Sequence, residues 1–312
     1  MFYKKQRLVP FLSVIITVYN KADYIKDTLN SVLNQTFKDF EVLIVNDGST
    51  DNSVQIIDTF NDERIKVIST KNNGASTARN TGIKNASCDF IALLDGDDLW
   101  DLDYLNSVHK AILKFTDIKV FTTAISQKYN NRTIPVTYSF SQNEDYGIHN
   151  YFEASQKYPL ITSSSIVFEK SVLDKTGTFD TSIISGQDTD LWIRFGLHYP
   201  IVFINKQLVI YNYNPLSLSN TSFELSKKPK FNKYFNEEKD NTYLKLYLDR
   251  NRYSMALLSK LQNDTENFKY YTSHLNPKHM SLRQNLLLKS PKWLLKLLLS
   301  LKSLGGEKVY YS

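Results

Sequence analysis

Three aspartates stand within four positions of the stretch LLDGDDLW, residues 93–100, directly after an apolar run. They are Asp95, Asp97 and Asp98. Carboxylates this close repel one another, and burying them is costly unless they pair with a cation or bind a metal. Asp95 and Asp97 are two residues apart, so an extended backbone points both side chains the same way. Such a pair of oxygen ligands suits a hard divalent cation, Mg²⁺ or Mn²⁺.

The same residues also have a purely structural interpretation. A helix is predicted to begin near Trp100, so Asp97 and Asp98 can equally serve as its N-cap and acidic first turn. Likewise, Asn46-Asp47-Gly48 taken alone is a plain turn, and Tyr19 is compatible with packing at a strand edge. Which interpretation holds depends on where the surrounding elements bring these residues.

The first 125 residues alternate strand-like and helix-like segments. Apolar runs predict strands, and three-to-four spacing predicts helices between them. The predicted strands are 12–18, 40–45, 65–69, 90–94 and 119–124, and the predicted helices are 23–33, 51–60, 75–85 and 103–115. This order predicts an α/β fold with a doubly wound, mostly parallel sheet and helices on both faces. In such sheets, ligands bind beyond the carboxyl ends of the strands.

Composition is that of an ordinary soluble globular protein, with 42% hydrophobic and 22% charged residues among 312. No 18-residue apolar stretch occurs, so we expect no spanning helix. Cys88 is the only cysteine, which excludes an internal disulfide and suits a reducing cytosol. We therefore expect a cytoplasmic protein.

Charge divides the chain into two parts. The net charge is +6, yet residues 221–312 carry 17 Lys+Arg against 8 Asp+Glu, so the part before them is acidic. After residue 220 the alternating pattern also gives way to helical segments rich in Lys, Asn and Tyr. We predict one α/β domain over residues 1–220 and a basic helical C-terminal region over 221–312.

A basic amphipathic helix is predicted at 291–304, in the stretch KSPKWLLKLLLSLKSL (289–304). Lys292 and Lys296 lie on a narrow polar stripe, while Trp293 and the leucines cover the rest. This pattern is typical of a helix that lies on an anionic lipid surface, which would bring the protein to the inner face of the cell membrane. A helix packed on the rest of the protein, or at a dimer contact, fits equally. We expect no nucleic-acid partner, because the basic region lacks interleaved aromatic platforms.

Four stretches taken in order resemble the family 2 glycosyltransferases, which have the GT-A fold. They are SVIITVYNKADYIKDTLNSVLNQTFKDFEVLIVNDGSTDNS (13–53), NNGASTARNTGI (72–83), FIALLDGDDLW (90–100) and GQDTDLWIR (186–194). The resemblance covers roughly residues 10–220. It implies that this part is the catalytic domain.

The resemblance also implies roles for individual residues in binding a nucleotide sugar. Thr17 and Tyr19 would line the pocket of the nucleotide base, with Tyr19 against the base. Asp47 would accept a hydrogen bond from the base, and Arg79 would lie near the donor. Asp95 would belong to the same donor site.

A metal site is implied at the acidic stretch. Asp95 and Asp97 match the D-x-D motif of the family, and Asp98 stands beside it. At least one of them would bind the Mn²⁺ or Mg²⁺ that bridges the donor diphosphate. Asp97 is our first choice, Asp95 is expected to face the ribose or sugar, and Asp98 either shares the metal or caps the helix.

The catalytic base is implied at Asp188. The family usually has Glu-Asp here, and Gln187 replaces the Glu, which removes a negative charge beside the base. Gln187 and Trp192 are candidate acceptor contacts. The aromatic face of Trp192 suits a sugar ring, although Trp192 fits the core equally well. The sequence Tyr211-Asn212-Tyr213-Asn214-Pro215 lacks the Arg and His that the family commonly shows there.

We therefore predict an inverting glycosyltransferase that moves one sugar from a nucleotide sugar, expected to be a UDP-sugar. The acceptor would be a hydroxyl of a glycan or of a lipid-linked glycan, in the synthesis of a cell-surface polysaccharide. A Q-x-x-R-W motif, which polymerising relatives carry, is missing after Asp188. The alternatives are a sugar-nucleotide nucleotidyltransferase, which needs a Gly-rich loop that TVYNKAD lacks, and a non-catalytic membrane-associated carbohydrate-binding protein.

Overall fold

The computed structural model describes residues 9–129, 132–213 and 225–304. These residues form two compact units. The first contains the described residues up to Val136, together with Gln142–His149 and Leu160–Tyr213. The second contains Thr137–Ser141, Asn150–Pro159 and the described residues after 224. The domain boundary predicted at 220/221 lies outside the described residues and stays a prediction.

The first unit is built around one ten-stranded sheet. Its strands in chain order are β1 (Leu12–Val18), β2 (Phe40–Asn46), β3 (Ile65–Ser69), β4 (Phe90–Asp95), β5 (Leu99–Trp100), β6 (Val120–Tyr129), β7 (Arg132–Pro135), β8 (Tyr146–His149), β9 (Ile166–Glu169) and β10 (Ile201–Asn212). Across the sheet the order is β3-β2-β1-β4-β9-β6-β10-β5, while β7 pairs with β6 and β8 with β10. The α/β fold class predicted from the sequence is confirmed.

Helices follow the strands as the alternating pattern predicts. Those described up to residue 213 are α1 (Ile25–Leu33), α2 (Ser53–Ile57), α3 (Ala75–Asn85), α4 (Tyr104–Lys114), α5 (Tyr151–Ala154), α6 (Val172–Thr176) and α7 (Gln187–His198). All except α5 belong to the first unit. Helix α1 shows the reason for their placement, since Ile25, Leu29 and Val32 recur at three-to-four spacing and all three are buried.

Strands β1, β2, β3 and β4 run parallel. Thr17 near the end of β1 lies opposite Val45 of β2 on one side and Asp95 of β4 on the other. The carboxyl ends of these three strands therefore lie side by side, although they are far apart in sequence. Beyond β4 the sheet becomes mixed, because β9 runs antiparallel to both β4 and β6.

Strand β10 has an irregularity near its middle. Its pairing with β6 shifts register between Ile204 and Gln207, and residues 205–207 are exposed at this irregularity. A bulge of this kind interrupts the alternation of apolar and polar residues, which hides the continuous strand from pattern analysis.

Helices make up most of the second unit. After α5, its described helices are α8 (Glu237–Asp240), α9 (Thr242–Gln262), α10 (Thr265–Ser273), α11 (Leu282–Lys289) and α12 (Lys292–Leu304). Buried Asp249 on α9 pairs with Lys245, Arg252 and His279, which ties this helix to the segment after α10. The helical C-terminal extension is thus confirmed. Within the described residues, none of the helices has the length and apolar character needed to cross a membrane.

Helix α3 approaches β1 closely at Gly82, and we predict that a methyl group is not tolerated there. A Cβ on Gly82 would lie 2.3 Å from Cγ2 of Ile15. Overpacking of this kind costs about 1–3 kcal/mol, so Gly82→Ala should lower the free energy of unfolding by that amount in urea titrations. Lys84→Ala, at an exposed position of the same helix, is the control and should leave it nearly unchanged. Equal stability of the two variants would show that the helix moves away without cost.

Candidate active site

Polar residues gather where β1, β2 and β4 end. Thr17 donates a hydrogen bond from Oγ1 to Oδ1 of Asp95 at 3.3 Å. Asp47 follows the last residue of β2, and its backbone N–H donates to the carbonyl of Val18 at 2.8 Å. The parallel register thus brings Thr17, Asp47 and Asp95 to one edge of the sheet, as predicted.

The turn after β4 is tightly held. Its Gly96 N–H donates to the carbonyl of Thr17 at 3.0 Å, and Thr28 of α1 donates to the carbonyl of Gly96 at 3.1 Å. A Cβ on Gly96 would lie 3.0 Å from the Thr17 oxygen and 3.2 Å from Cγ2 of Val18. Close backbone approach is the reason for a glycine between the aspartates.

Arg79 compensates the first carboxylate. Its Nη2 donates to Oδ1 of Asp95 at 2.6 Å, and its guanidinium lies over the Phe179 ring at 5.3 Å. Burial lowers the pKa of Arg79, but Asp95, with Asp188 and Asp97, raises it above the usual value. Arg79 is therefore a permanent, buried positive charge. Its other terminal nitrogen, Nη1, finds no hydrogen-bond partner among the described residues.

The second and third carboxylates have different partners. Asp97 forms an ion pair with Lys21. Asp98 is 1% exposed and accepts hydrogen bonds from Ser164 Oγ at 2.5 Å and from the backbone N–H of Asn212 at 3.0 Å. Burial raises the pKa of both aspartates; Lys21 opposes the rise at Asp97, and Asp97 and Asp95 add to it at Asp98.

The helix-cap interpretation of Asp97 and Asp98 is wrong. The next residues, Leu99–Trp100, form β5 antiparallel to β10, and α4 begins only at Tyr104. The reason is the burial of Trp100, whose ring stacks on Tyr104 at 4.1 Å and whose Nε1 donates to the Ser164 carbonyl at 2.7 Å. The acidic turn therefore leads into a strand.

Asp47 is buried and holds the loop before α3. Oδ1 accepts from the N–H of Asn73 at 2.9 Å, and Oδ2 accepts from the N–H of Gly74 at 2.9 Å. Gly74 is the residue before α3 and has φ +88°. Asp47 thus positions the helix that carries Arg79, and its predicted contact with a nucleotide base stays a prediction.

Tyr19 is exposed at the same edge, where a planar ligand can reach its ring. The next residue, Asn20, has φ +51° and accepts from the N–H of Thr50 at 2.8 Å. This contact ties the loop after β1 to the loop after β2. The predicted role of Tyr19 against a base stays a prediction.

Asp188 lies in the first turn of α7. Its Oδ1 accepts from the N–H of Thr189 at 2.7 Å, and its charge acts on Arg79. Arg79 therefore feels the negative charges of both Asp95 and the predicted base. Neighbouring Gln187 is buried, and its Oε1 lacks a hydrogen-bond partner within the described part of the chain.

Trp192 belongs to the core. It is 2% exposed and packs against Phe179 at 5.9 Å and Phe195 at 5.5 Å between ring centroids. A side chain with so little exposed surface offers no face to a sugar, so the acceptor role considered for Trp192 is corrected to a packing role. Nearby, buried Asp190 pairs with Arg194 at 3.0 Å, which is the internal ion pair that helix spacing allows.

The carboxylates after β4 suit a divalent cation in chemical type. They are hard oxygen donors, and burial together with the neighbouring negative charges raises the pKa of Asp97 and Asp98; a bound cation would favour their charged forms. In the described residues, however, no three His, Cys, Asp or Glu side chains converge on one point in the way a metal ion requires. Asn214, a further candidate ligand, lies outside those residues.

Sequence analysis missed Lys21, Ser164 and Asn212 as members of the site. Lys21 follows Tyr19 by two residues and was detectable as the one positive charge in the loop TVYNKAD. Ser164 and Asn212 carry no such signal, because they reach Asp98 from positions 66 and 114 residues away.

Comparisons with known proteins agree with this geometry. The family model described as glycosyl transferase family 2 matches residues 13–177. An uncharacterized glycosyltransferase of Rickettsia felis is 33% identical over 205 residues, which is 63% of this chain and 32% of that protein. Glycosyltransferase GlyA of Streptococcus pneumoniae is 41% identical over 112 residues, 35% of this chain and 16% of that protein. The chain thus spans a third or less of these two relatives.

Among solved structures, S. aureus TarS superposes with a TM-score of 0.66 and 22% identity over 89% of this chain and 52% of that one. TarS 1–349 in complex with UDP-GlcNAc gives a TM-score of 0.61 at 19% identity, over 85% of this chain and 90% of that one. These likenesses, with the strand order and the carboxylate edge, define a GT-A fold. The chain belongs to glycosyl transferase family 2.

The raised pKa of Asp98 predicts a pH dependence of stability. A carboxyl with a higher pKa in the folded state binds its proton more tightly there, so it favours folding at low pH. That contribution is lost as pH rises from the ordinary aspartate pKa, about 4, through the raised value. The comparison is made with EDTA present. As pH rises through this window, the free energy of unfolding of the wild type should fall relative to that of Asp98→Asn.

Urea titrations at a series of pH values measure this difference. Asp174→Asn, at an exposed position of α6, is the control and should run parallel to the wild type. A difference between wild type and Asp98→Asn that is independent of pH would mean that Asp98 titrates normally.

Proposed function

We propose that the chain is an inverting glycosyltransferase that moves one sugar from a UDP-sugar to a hydroxyl of a glycan or lipid-linked glycan. The observation that carries this proposal is the register of β1 with β2 and β4, which places Thr17, Asp47 and Asp95 at one edge. The TarS 1–349 structures in complex with UDP-GlcNAc and with UDP share the fold and support a uridine nucleotide as donor.

Arg79 neutralises the leaving group in this proposal. The diphosphate gains negative charge as the glycosidic bond breaks, and a preorganised positive charge in a buried position stabilises that change. Arg79 remains protonated, and its Nη1 has no hydrogen-bond partner in the described residues. An oxygen of the donor would satisfy that N–H.

A divalent cation, Mn²⁺ or Mg²⁺, would be held by Asp97, with Asp95 or Asp98 beside it. When bound, it supplies a Lewis acid next to the diphosphate. The support for it is the hard donor set and the raised pKa of Asp97 and Asp98.

Asp188 would accept the proton of the attacking hydroxyl. It lies at the start of α7, where its contact with the Thr189 N–H keeps it oriented. A single base opposite the leaving group fits one in-line displacement with inversion at the anomeric carbon, since retention by a carboxylate nucleophile needs a second placed carboxylate. Gln187, with its buried unpartnered Oε1, would bind the acceptor beside it.

Asp188→Asn should reduce transfer by about 10²–10⁴-fold, the usual contribution of a positioned base, and leave UDP affinity nearly unchanged. The donor is first selected from a panel of UDP- and GDP-sugars by slow donor hydrolysis, and UDP binding is measured by calorimetry with and without Mn²⁺. Asp174→Asn serves as the control again. Loss of UDP binding in Asp188→Asn would contradict the assignment of Asp188 as the base. Absence of nucleotide binding by the wild type would contradict the proposed glycosyltransferase function.

We also propose that α11 and α12 contact an anionic membrane from the cytoplasmic side, which suits a lipid-linked acceptor in cell-surface polysaccharide synthesis. Leu286 is 68% exposed and Trp293 is 67% exposed, and exposed Lys289 and Lys296 lie close to them in sequence. Large exposed apolar side chains flanked by lysines are the pattern of an interfacial helix, where each lysine contributes about 1 kcal/mol near an anionic surface.

Vesicle co-sedimentation tests this contact. The wild type should bind vesicles with anionic lipid, and the double change Leu286→Ser with Trp293→Ser should lose most of that binding, since it removes the apolar side chains that enter the interface. Leu113→Ser on α4 is the matched control, because Leu113 is 62% exposed yet belongs to the first unit. Equal binding by the double variant, or binding to neutral vesicles alone, would contradict the proposal.

A further inference from the structure

The position of Lys21 is fixed by its backbone. Its N–H donates to Oγ of Ser53 at 2.8 Å, and its carbonyl accepts from the N–H groups of Tyr24 and Ile25 at 2.9 Å, at the start of α1. The N–H of the next residue, Ala22, donates to Asp51 at 3.0 Å. Lys21 is therefore anchored beside the acidic turn and is not a loose surface lysine.

The stem of Lys21 crosses the turn at Gly96. A Cβ built on Gly96 would lie 3.5 Å from Cγ of Lys21, so the stem of Lys21 passes close to this turn. From there the ammonium reaches Oδ2 of Asp97.

Of the two cations at the site, Lys21 is the more easily moved. The side chain of Arg79 is 7% exposed, whereas that of Lys21 is 19% exposed. Arg79 also has a rigid planar head, while Lys21 carries a point charge on a flexible four-carbon stem. Asp98, by contrast, is held by neutral donors from Ser164 and Asn212.

A divalent cation on Asp97 and the ammonium of Lys21 would compete with each other. Both require the same carboxylate, and two cations a few ångströms apart repel strongly in a partly buried site. If Lys21 leaves, its fixed backbone keeps the ammonium within the reach of its stem, next to where the diphosphate of a donor would lie. Lysine binds phosphate oxygens well as a point charge.

We propose that Lys21 is the resident counter-ion of Asp97, that a divalent cation displaces it, and that the freed ammonium then binds the donor diphosphate. This inference rests on the proposed function for its second step only. Lys21 is thus a positioning residue in the metal-free protein and a diphosphate ligand in the loaded one.

The test uses Mn²⁺ alone, followed by UDP. Free Mn²⁺ is measured by electron paramagnetic resonance without nucleotide, for the wild type, Lys21→Met, Lys21→Arg and Lys26→Met. Lys21→Met should bind Mn²⁺ about threefold to tenfold more tightly, because a competing ion pair is gone. Lys26→Met is the matched control, since Lys26 is exposed on α1 and no ion pair joins it to another described residue.

UDP affinity at saturating Mn²⁺ should change in the opposite direction. It should fall several-fold in Lys21→Met, stay near the wild-type value in Lys26→Met, and be largely kept in Lys21→Arg. This opposite effect on the two ligands separates the proposal from a general loss of structure, which would weaken both.

Unchanged or weaker Mn²⁺ binding by Lys21→Met, relative to Lys26→Met, would overturn the proposal. If circular dichroism shows that Lys21→Met does not fold, wild-type protein with ¹³C-methylated lysines is studied by NMR instead. The signal of Lys21 is assigned as the one that is missing in Lys21→Arg. That signal should shift on adding Mg²⁺ and again on adding UDP, and a signal unmoved by saturating Mg²⁺ overturns the proposal. Failure of UDP to bind the wild type would contradict the proposed function, while the Mn²⁺ titration still tests the displacement.

Discussion

The crowding of three carboxylates at the end of β4 is the constraint on which the site depends. An unpaired buried carboxylate costs several kcal/mol, so each aspartate needs a partner for the turn to be stable. The partners are Arg79 for Asp95, Lys21 for Asp97, and the neutral donors of Ser164 and Asn212 for Asp98. They come from α3, from the loop after β1, from the segment before β9 and from the end of β10. Charge compensation therefore ties together parts of the chain that do not follow one another.

Close backbone approach makes this compensation possible. Helix α3 brings Arg79 to Asp95 because Gly82 lets the helix approach Ile15 of β1. The acidic turn lies against β1 because Gly96 leaves room for the Thr17 carbonyl and for the side chain of Val18. Asp47 also holds the start of α3 in place, because it accepts hydrogen bonds from the N–H groups of Asn73 and Gly74. The glycines and the carboxylates of this edge are thus parts of one arrangement.

Much of this arrangement was predictable from local patterns. Strands 12–18 and 65–69 and helix 75–85 have the predicted bounds, because apolar periodicity and flanking turn residues are local signals. The helix predicted over 103–115 is present, but the helix-cap interpretation of Asp97 and Asp98 was wrong, since the burial of Trp100 against Tyr104 and Ser164 is a tertiary effect. For Trp192, the sequence fitted a core position and an acceptor contact equally well. Only its burial in the structure decides for the core.

The partners of the aspartates show where local patterns fail. Lys21 contacts Asp97 across 76 positions, and Asn212 contacts Asp98 across 114. A strand register decides such contacts, and a single sequence holds no local signal for it. The motif residues themselves, including Arg79, were found because a resemblance to a family places them. Ser164 and Asn212, which compensate Asp98, lie outside those motifs.

The different partners of the three aspartates assign them different tasks. Asp95 faces a guanidinium that is buried and permanently charged, so its interaction with Arg79 is not readily exchanged. Both oxygens of Asp98 already accept hydrogen bonds, and burial raises its pKa well above the usual value. Asp97 is paired with Lys21, whose flexible stem can swing away, so Asp97 is the carboxylate that we propose exchanges its partner for a metal. On these grounds Asp97 is the principal candidate metal ligand, Asp95 orients Arg79, and Asp98 fixes the turn that presents them both.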